Sequence, residues 1–116
     1  MHEMSYVVRV VNLALKKSKE EHIQKINKVC VSIGQMVGIE PYYMEKYYAQ
    51  AIKDTALEGS VIECSILPVI AHCEDCGKEY EPSKENDYMC PFCGSGTAHT
   101  VQGREFLLTR IEGVFE

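Results

Sequence analysis

The chain has 116 residues, is 46% hydrophobic and 25% charged, and carries a formal net charge of -5. That length holds one modest core plus a satellite lobe, and the acidic balance argues against nucleic acid, whose phosphates demand a positive field. No apolar run approaches the roughly 20 residues of a membrane span, and Met1-His2-Glu3-Met4-Ser5 lacks the basic start of a secretory signal, so the reducing cytoplasm is the expected compartment.

Met4, Val7, Val8, Val11 and Leu15 recur at helical spacing and predict a helix from residue 4 to about 19. Its basic end, Lys16-Lys17-Ser18-Lys19, complements the negative pole of the helix dipole. Ser5 either caps this helix or lies within its first turn. Val29, Val31 and Ile33 then alternate with Lys28, Cys30 and Ser32, the pattern of a strand with one buried face, and Gly34 and Gly38 break it. Pro41 opens a second helix expected from 42 to about 57, since proline is well tolerated in a first turn. Tyr43, Met44, Tyr47, Tyr48 and Ala51 form an apolar stripe on it that reads as core. Glu58-Gly59-Ser60 ends the helix, and residues 61 to 70 read as a second strand in which Pro68 marks an edge or a bend. Cys30 and Cys64 fall within these strand-like runs and read as small buried apolar residues.

The most informative feature follows: Cys73-Glu74-Asp75-Cys76-Gly77 and Cys90-Pro91-Phe92-Cys93-Gly94. Two-residue spacing turns both thiolates of a pair onto one metal ion. The glycine after each second cysteine takes the positive φ that aims backbone N–H groups back at sulfur. Two such knuckles facing each other make a tetrahedral four-sulfur site, which suits Zn(II) best. Disulfides or a redox dithiol are the rival uses of these cysteines, and the doubled motif favours zinc over them. Four thiolates leave no open position for a substrate, so the site is structural. After it, residues 104 to 112 give a last strand-like run with partial alternation. The fold expected is α/β (α+β): two helices packed on a small three-stranded sheet, residues 1-70 plus 102-116, with an inserted zinc-ribbon lobe at 71-101.

His2 is the second informative residue. With Met1 retained, its free α-amine, the backbone nitrogen of His2 and the imidazole of His2 can close fused chelate rings in one plane, and the backbone nitrogen of Glu3 is a candidate fourth donor. Four nitrogens in a plane favour Ni(II) or Cu(II) over Zn(II). A terminal histidine that simply frays in solvent is the bland alternative, and from His2 alone it is the better one. His72 and His99, beside the knuckles, read as solvated loop residues. Glu40, before Pro41, reads as a cap of the second helix, and His22 as a surface residue. No nucleophile stands with a base, and no glycine-rich phosphate loop occurs, so no hydrolase or GTPase activity is expected.

Taken together, the Met1-His2-Glu3-Met4-Ser5 start, the twin Cys-x-x-Cys-Gly knuckles and the closing Gly103-Arg104-Glu105-Phe106 resemble the HypA/HybF family of hydrogenase maturation proteins, over essentially the whole chain. The resemblance implies a Ni(II) metallochaperone without catalysis of its own. It implies nickel held by His2 with main-chain nitrogens from Met1 and Glu3, and structural Zn(II) on Cys73, Cys76, Cys90 and Cys93. The implied partners are a hydrogenase-maturation GTPase, the large subunit of [NiFe]-hydrogenase and, in some organisms, urease maturation proteins. The rival readings are a zinc-ribbon protein-interaction module with an incidental His2, and a thiol oxidoreductase using the paired cysteines.

Overall fold

A computed structural model describes residues 3–115. Helix α1 spans Glu3–Glu20 and buries Val7, Val10, Val11 and Ala14 along one stripe, the i, i+3, i+4, i+7 spacing of a core-facing helix. Met4 and Val8, expected to share that stripe, are exposed instead. Ser5 lies inside the first turn, and Lys17 and Lys19 occupy the last. His22, exposed and at φ 54°, turns the chain into strand β1, Ile23–Gly34. That strand starts five residues ahead of the alternation expected from 28. Ile23 and Ile26 are both buried although they are three apart, because the ladder to the last strand shifts register between Ile23 and Lys25 and again between Ile26 and Lys28. Bulges of this kind erase the period-2 signal.

β1 is the central strand of a sheet in the order β2-β1-β6, where β2 is Val61–Leu67 and β6 is Phe106–Phe115. β2 runs parallel to β1, and the crossover that parallel pairing requires is helix α2, Pro41–Ala51. The helix stops six residues short of the expected end. Ile52 terminates it, Asp54 sits at φ 62°, and the Thr55 hydroxyl donates to the Ile52 carbonyl at 2.7 Å, so tight turns carry the chain on to Gly59 at φ 90°. Ile52 and Leu57 are nevertheless buried, which is why the apolar spacing ran past the true end. Of the expected stripe on α2, Met44 and Tyr48 are core, whereas Tyr43 is exposed. The Tyr48 hydroxyl and the Ser60 hydroxyl, both buried, hydrogen-bond at 2.7 Å, and Ser60 donates onward to the Leu57 carbonyl. Cys30 is buried and Cys64 half-buried; burial, aided by Glu45, pushes the Cys64 thiol up to about 11.

The run 61 to 70 is two strands, not one. β2 ends at Leu67, Pro68 and Val69 interrupt it, and β3, Ile70–Cys73, belongs to a second sheet in the order β4-β3-β5, with β4 Glu79–Tyr80 and β5 Ala98–Gln102. The last strand begins at Phe106 rather than 104 and runs to Phe115. A large apolar cluster lies between the helices and the first sheet, while a small one, Ala71, Cys73, Tyr80 and Cys90, lies under the second. The molecule is drawn out accordingly: its radius of gyration is 18.0 Å and its extents are 54 × 27 × 16 Å, against about 13 Å for a compact domain of this length. At the junction the Gly34 N–H donates to the Glu105 carbonyl (2.7 Å), the Met36 N–H to the Gly103 carbonyl (2.8 Å), and the Gln102 side-chain amide to the Pro68 carbonyl (3.0 Å). Gly34 lies flat against the backbone of Gly103, with no room for a Cβ.

Candidate metal centre

The two cysteine knuckles are copies of one another. In the first, the Gly77 N–H donates to the Cys73 carbonyl at 3.0 Å and the Cys73 N–H to the Lys78 carbonyl at 2.9 Å. In the second, the Gly94 N–H donates to the Cys90 carbonyl at 2.8 Å and the Cys90 N–H to the Ser95 carbonyl at 2.9 Å. Gly77 and Gly94 sit at φ 76° and 78°, the left-handed conformation that only glycine adopts without strain. β3 delivers Cys73 to the start of the first knuckle, and the segment before β5 carries the second against it. The pairing is fixed by contacts between the two: the Glu74 N–H donates to the Thr97 carbonyl, the Ser95 hydroxyl to the Asp75 carboxylate, and the Lys78 ammonium lies 4.7 Å from the centre of the Phe92 ring. None of these cross-contacts was singled out in the sequence, because each depends on how the knuckles face one another.

Cys73, Cys76, Cys90 and Cys93 converge so that their four sulfurs all lie within 4.8 Å of one another, the first and third buried and the other two exposed. Cys73 and Cys93 sulfurs are 3.6 Å apart, and Cys76 and Cys90 sulfurs 3.7 Å. A disulfide needs about 2.05 Å; a tetrahedron with metal–sulfur bonds of about 2.3 Å has edges of about 3.8 Å. The donor set therefore fits a tetrahedral zinc-type ion. The electrostatics are those of a cage that wants a cation. Backbone N–H groups, Cys76 foremost and then Asp75, draw the Cys73 thiol down to about 7 against the opposing cost of burial. Burial pushes the Cys90 thiol up, but the N–H groups of Cys93 and Phe92 outweigh it and the net direction is down. At Cys93 the Ser95 N–H pulls down, yet the neighbouring Cys73 sulfur, burial and the remaining sulfurs carry the thiol up to about 12. Four thiols so close cannot all ionise without a positive charge among them, and a metal ion would supply it.

Of the other residues singled out in the sequence, Met1 and His2 lie outside the described residues. Glu3 is buried, and its carboxylate accepts the Glu40 N–H at 3.2 Å, so the start of α1 is pinned to the residue that precedes α2. Glu40 occupies the N-cap position of α2, but its side chain makes no capping bond. His72 and His99 are strand residues, on β3 and β5, rather than loop residues.

The sequence matches a family profile described as "Hydrogenase/urease nickel incorporation, metallochaperone, hypA" over residues 1–113. The protein named hydrogenase maturation factor HypA from Aquifex aeolicus is 32% identical over 112 residues, which is 97% of this chain and 96% of that one. Its namesake from Francisella philomiragia is 32% identical over 111 residues, 96% and 97% of the two chains. Among solved structures, the solution structure of the Ni metallochaperone HypA from Helicobacter pylori superposes with a TM-score of 0.72 at 23% identity, covering 100% of both chains. A second structure, titled as a solution structure of HypA protein, gives a TM-score of 0.76 at 23% identity over 100% of this chain and 98% of that one.

Proposed function

The chain belongs to the HypA family of hydrogenase/urease nickel-incorporation metallochaperones, and from that premise we propose that it takes up Ni(II) at its N-terminus and hands it on for the maturation of [NiFe]-hydrogenase. In this reading the Met1 α-amine, the backbone nitrogens of His2 and Glu3 and the His2 imidazole hold nickel in a plane, and Cys73, Cys76, Cys90 and Cys93 hold a structural Zn(II). The observation that carries it is the match over residues 1–113, which takes in the Met1-His2-Glu3 start and all four cysteines. Two features of the fold support it. The four-sulfur cage is closed and suits an ion that stays. A chain-end site suits one that leaves, since it can surrender one donor at a time, while the Glu3–Glu40 contact keeps the start of α1 in register.

Residues 1-70 plus 102-116 act in this proposal as the nickel-handling unit, and 71-101 as the zinc lobe. Loading involves a maturation GTPase, and the recipients are the hydrogenase large subunit and, where urease is made, its maturation proteins, all in the cytoplasm. The chain catalyses nothing itself. The deciding experiment is metal stoichiometry on protein with an authentic N-terminus. One Ni(II) and one Zn(II) per chain are expected. A Gly-Ser extension before Met1 converts the amine to an amide, and His2→Ala removes the imidazole; each should abolish tight nickel binding and spare zinc. Acid should act like these changes, because protons compete for an amine and an imidazole with reference pKa values of about 7.8 and 6.5. Unchanged nickel affinity in both variants would refute the terminal chelate.

A further inference from the structure

The second sheet has two faces, and only one of them belongs to the cysteines. Side chains alternate along a strand, so Ala71 and Cys73 of β3, with their partners Tyr80, Thr100 and Ala98, face the small core and the four sulfurs. His72 points the other way. Its register partners on the two neighbouring strands are Glu79 of β4 and His99 of β5, which makes a transverse row Glu79–His72–His99 on the far face. Glu74, two residues beyond His72, joins the row. The His72 Nδ1 lies 3.9 Å from a Glu79 carboxylate oxygen, and the His99 Nδ1 is paired with the Glu74 carboxylate. The imidazole centres are 5.3 Å apart and the rings are inclined at 38°. His72 is half-buried and His99 exposed, so the face is open to solvent.

This arrangement differs from two unrelated surface ion pairs. When Nδ1–H is directed at a carboxylate, the lone pair resides on Nε2, and the ring is held in the tautomer and orientation that a metal requires. Here the Glu74 carboxylate holds the His99 ring in this way, while Glu79 flanks His72 from the other end of the row at 3.9 Å, beyond hydrogen-bond reach. Two imidazoles on one ion, with metal–nitrogen bonds of about 2.0 Å and a near-tetrahedral angle between them, hold their ring centres about 5 Å apart. The observed separation matches. We propose that His72 and His99 form a second, exchangeable site for a borderline divalent ion such as Ni(II), with Glu74 orienting His99 and Glu79 flanking His72. Two protein donors leave the remaining positions to water or to a donor brought by a partner. The site therefore binds more weakly than the sulfur cage and exchanges faster. It lies across the sheet from the cage, so neither histidine competes for the ion held there.

The test uses zinc-loaded full-length protein carrying a Gly-Ser extension before Met1, which removes the terminal chelate and makes the outcome independent of it. Titration with Ni(II) alone, followed by calorimetry and by NMR of the histidine rings, should reveal one further equivalent. Ni(II) held by two imidazoles and water is paramagnetic, so the ring signals of His72 and His99 should broaden while that of His22 stays sharp. His72→Gln and His99→Gln, which keep a polar side chain of similar bulk on each strand, should each abolish this equivalent without loss of zinc. Glu74→Gln should weaken it about ten- to hundredfold, as removal of a carboxylate partner does elsewhere. Absence of a second equivalent, equal broadening of all three rings, or undiminished binding in either glutamine variant would overturn the proposal. None of these results would touch nickel binding by the authentic terminus.

Discussion

Cys90 is buried and its sulfur lies 3.7 Å from that of Cys76, so its loss cannot be made good by a neighbour. Cys90→Ser should lose most of the zinc, and metal analysis after gel filtration would read this directly; full retention would refute a four-cysteine centre. Glu3 matters in a different way. Its backbone nitrogen is a proposed nickel donor, while its buried carboxylate ties α1 to the Glu40 N–H. Glu3→Ala should therefore weaken nickel binding, because the donors of the chain end lose their anchor while all of them remain present. Glu3→Gln, whose amide oxygen can still accept, should restore most of the affinity, and a nickel titration of both variants decides the point. Cys64 offers a pH test. Its thiol is pushed up to about 11 by burial, against about 8.5 in an unfolded chain, so the folded state favours the neutral form. The stability this contributes is complete below about pH 8.5 and is lost as pH rises through 11. Cys64→Val, with nothing to ionise there, should lose less stability than the parent over that interval in urea titrations.

Elements were legible where local periodicity was clean. The stripe Val7, Val11 of α1 and the alternation Val29, Val31, Ile33 of β1 both point into the core as their spacing indicates. Legibility failed where a long-range contact sets the local conformation. The first five residues of β1 alternate irregularly because β6 imposes two bulges on them, and nothing between 23 and 27 announces partners that lie at 113 to 115. The end of α2 was hidden because Ile52 and Leu57 remain buried after the helix has ended. The four cysteines were legible, since each knuckle is local to a five-residue motif; the contacts that face one knuckle against the other were not, nor was the His72–His99 row, which exists only once β3 and β5 pair. Gly113 of β6 tests the bulged ladder. A Cβ there would collide with the Lys25 carbonyl and press on Ile23 and Ile26. Gly113→Ala should destabilise the first sheet by roughly 1–3 kcal/mol, as overpacking of a closed site does, measurable by chemical denaturation. Tyr48→Phe, which strands the Ser60 hydroxyl of one partner but leaves it the Leu57 carbonyl, should cost less, about 1 kcal/mol.

At the scale of the whole molecule, the two apolar clusters have unequal means of support. The larger holds the side chains of both helices and the first sheet, whereas the smaller has four buried residues, two of which are cysteines of the proposed metal site. Packing alone cannot hold a lobe that small; metal binding contributes folding free energy on the order of 10 kcal/mol in such lobes. The junction offers little apolar contact to transmit that dependence. It is built from backbone hydrogen bonds at Gly34, Met36 and Gly103 and from two side-chain bonds, Gln102 to the Pro68 carbonyl and the Val69 N–H to Gln35, and among the described residues the two buried apolar clusters are separate. Stripping the metal with a strong chelator should therefore unfold the smaller lobe alone. In two-dimensional NMR the amide signals of residues 71–101 should collapse toward random-coil positions while those of α1, α2 and β1 stay dispersed. The helical circular dichroism should persist, and the thermal transition of the larger unit should move by only a few degrees. Loss of dispersion throughout the chain on chelation would mean that the two units fold as one, and the division between a nickel-handling unit and a zinc lobe would have to be abandoned.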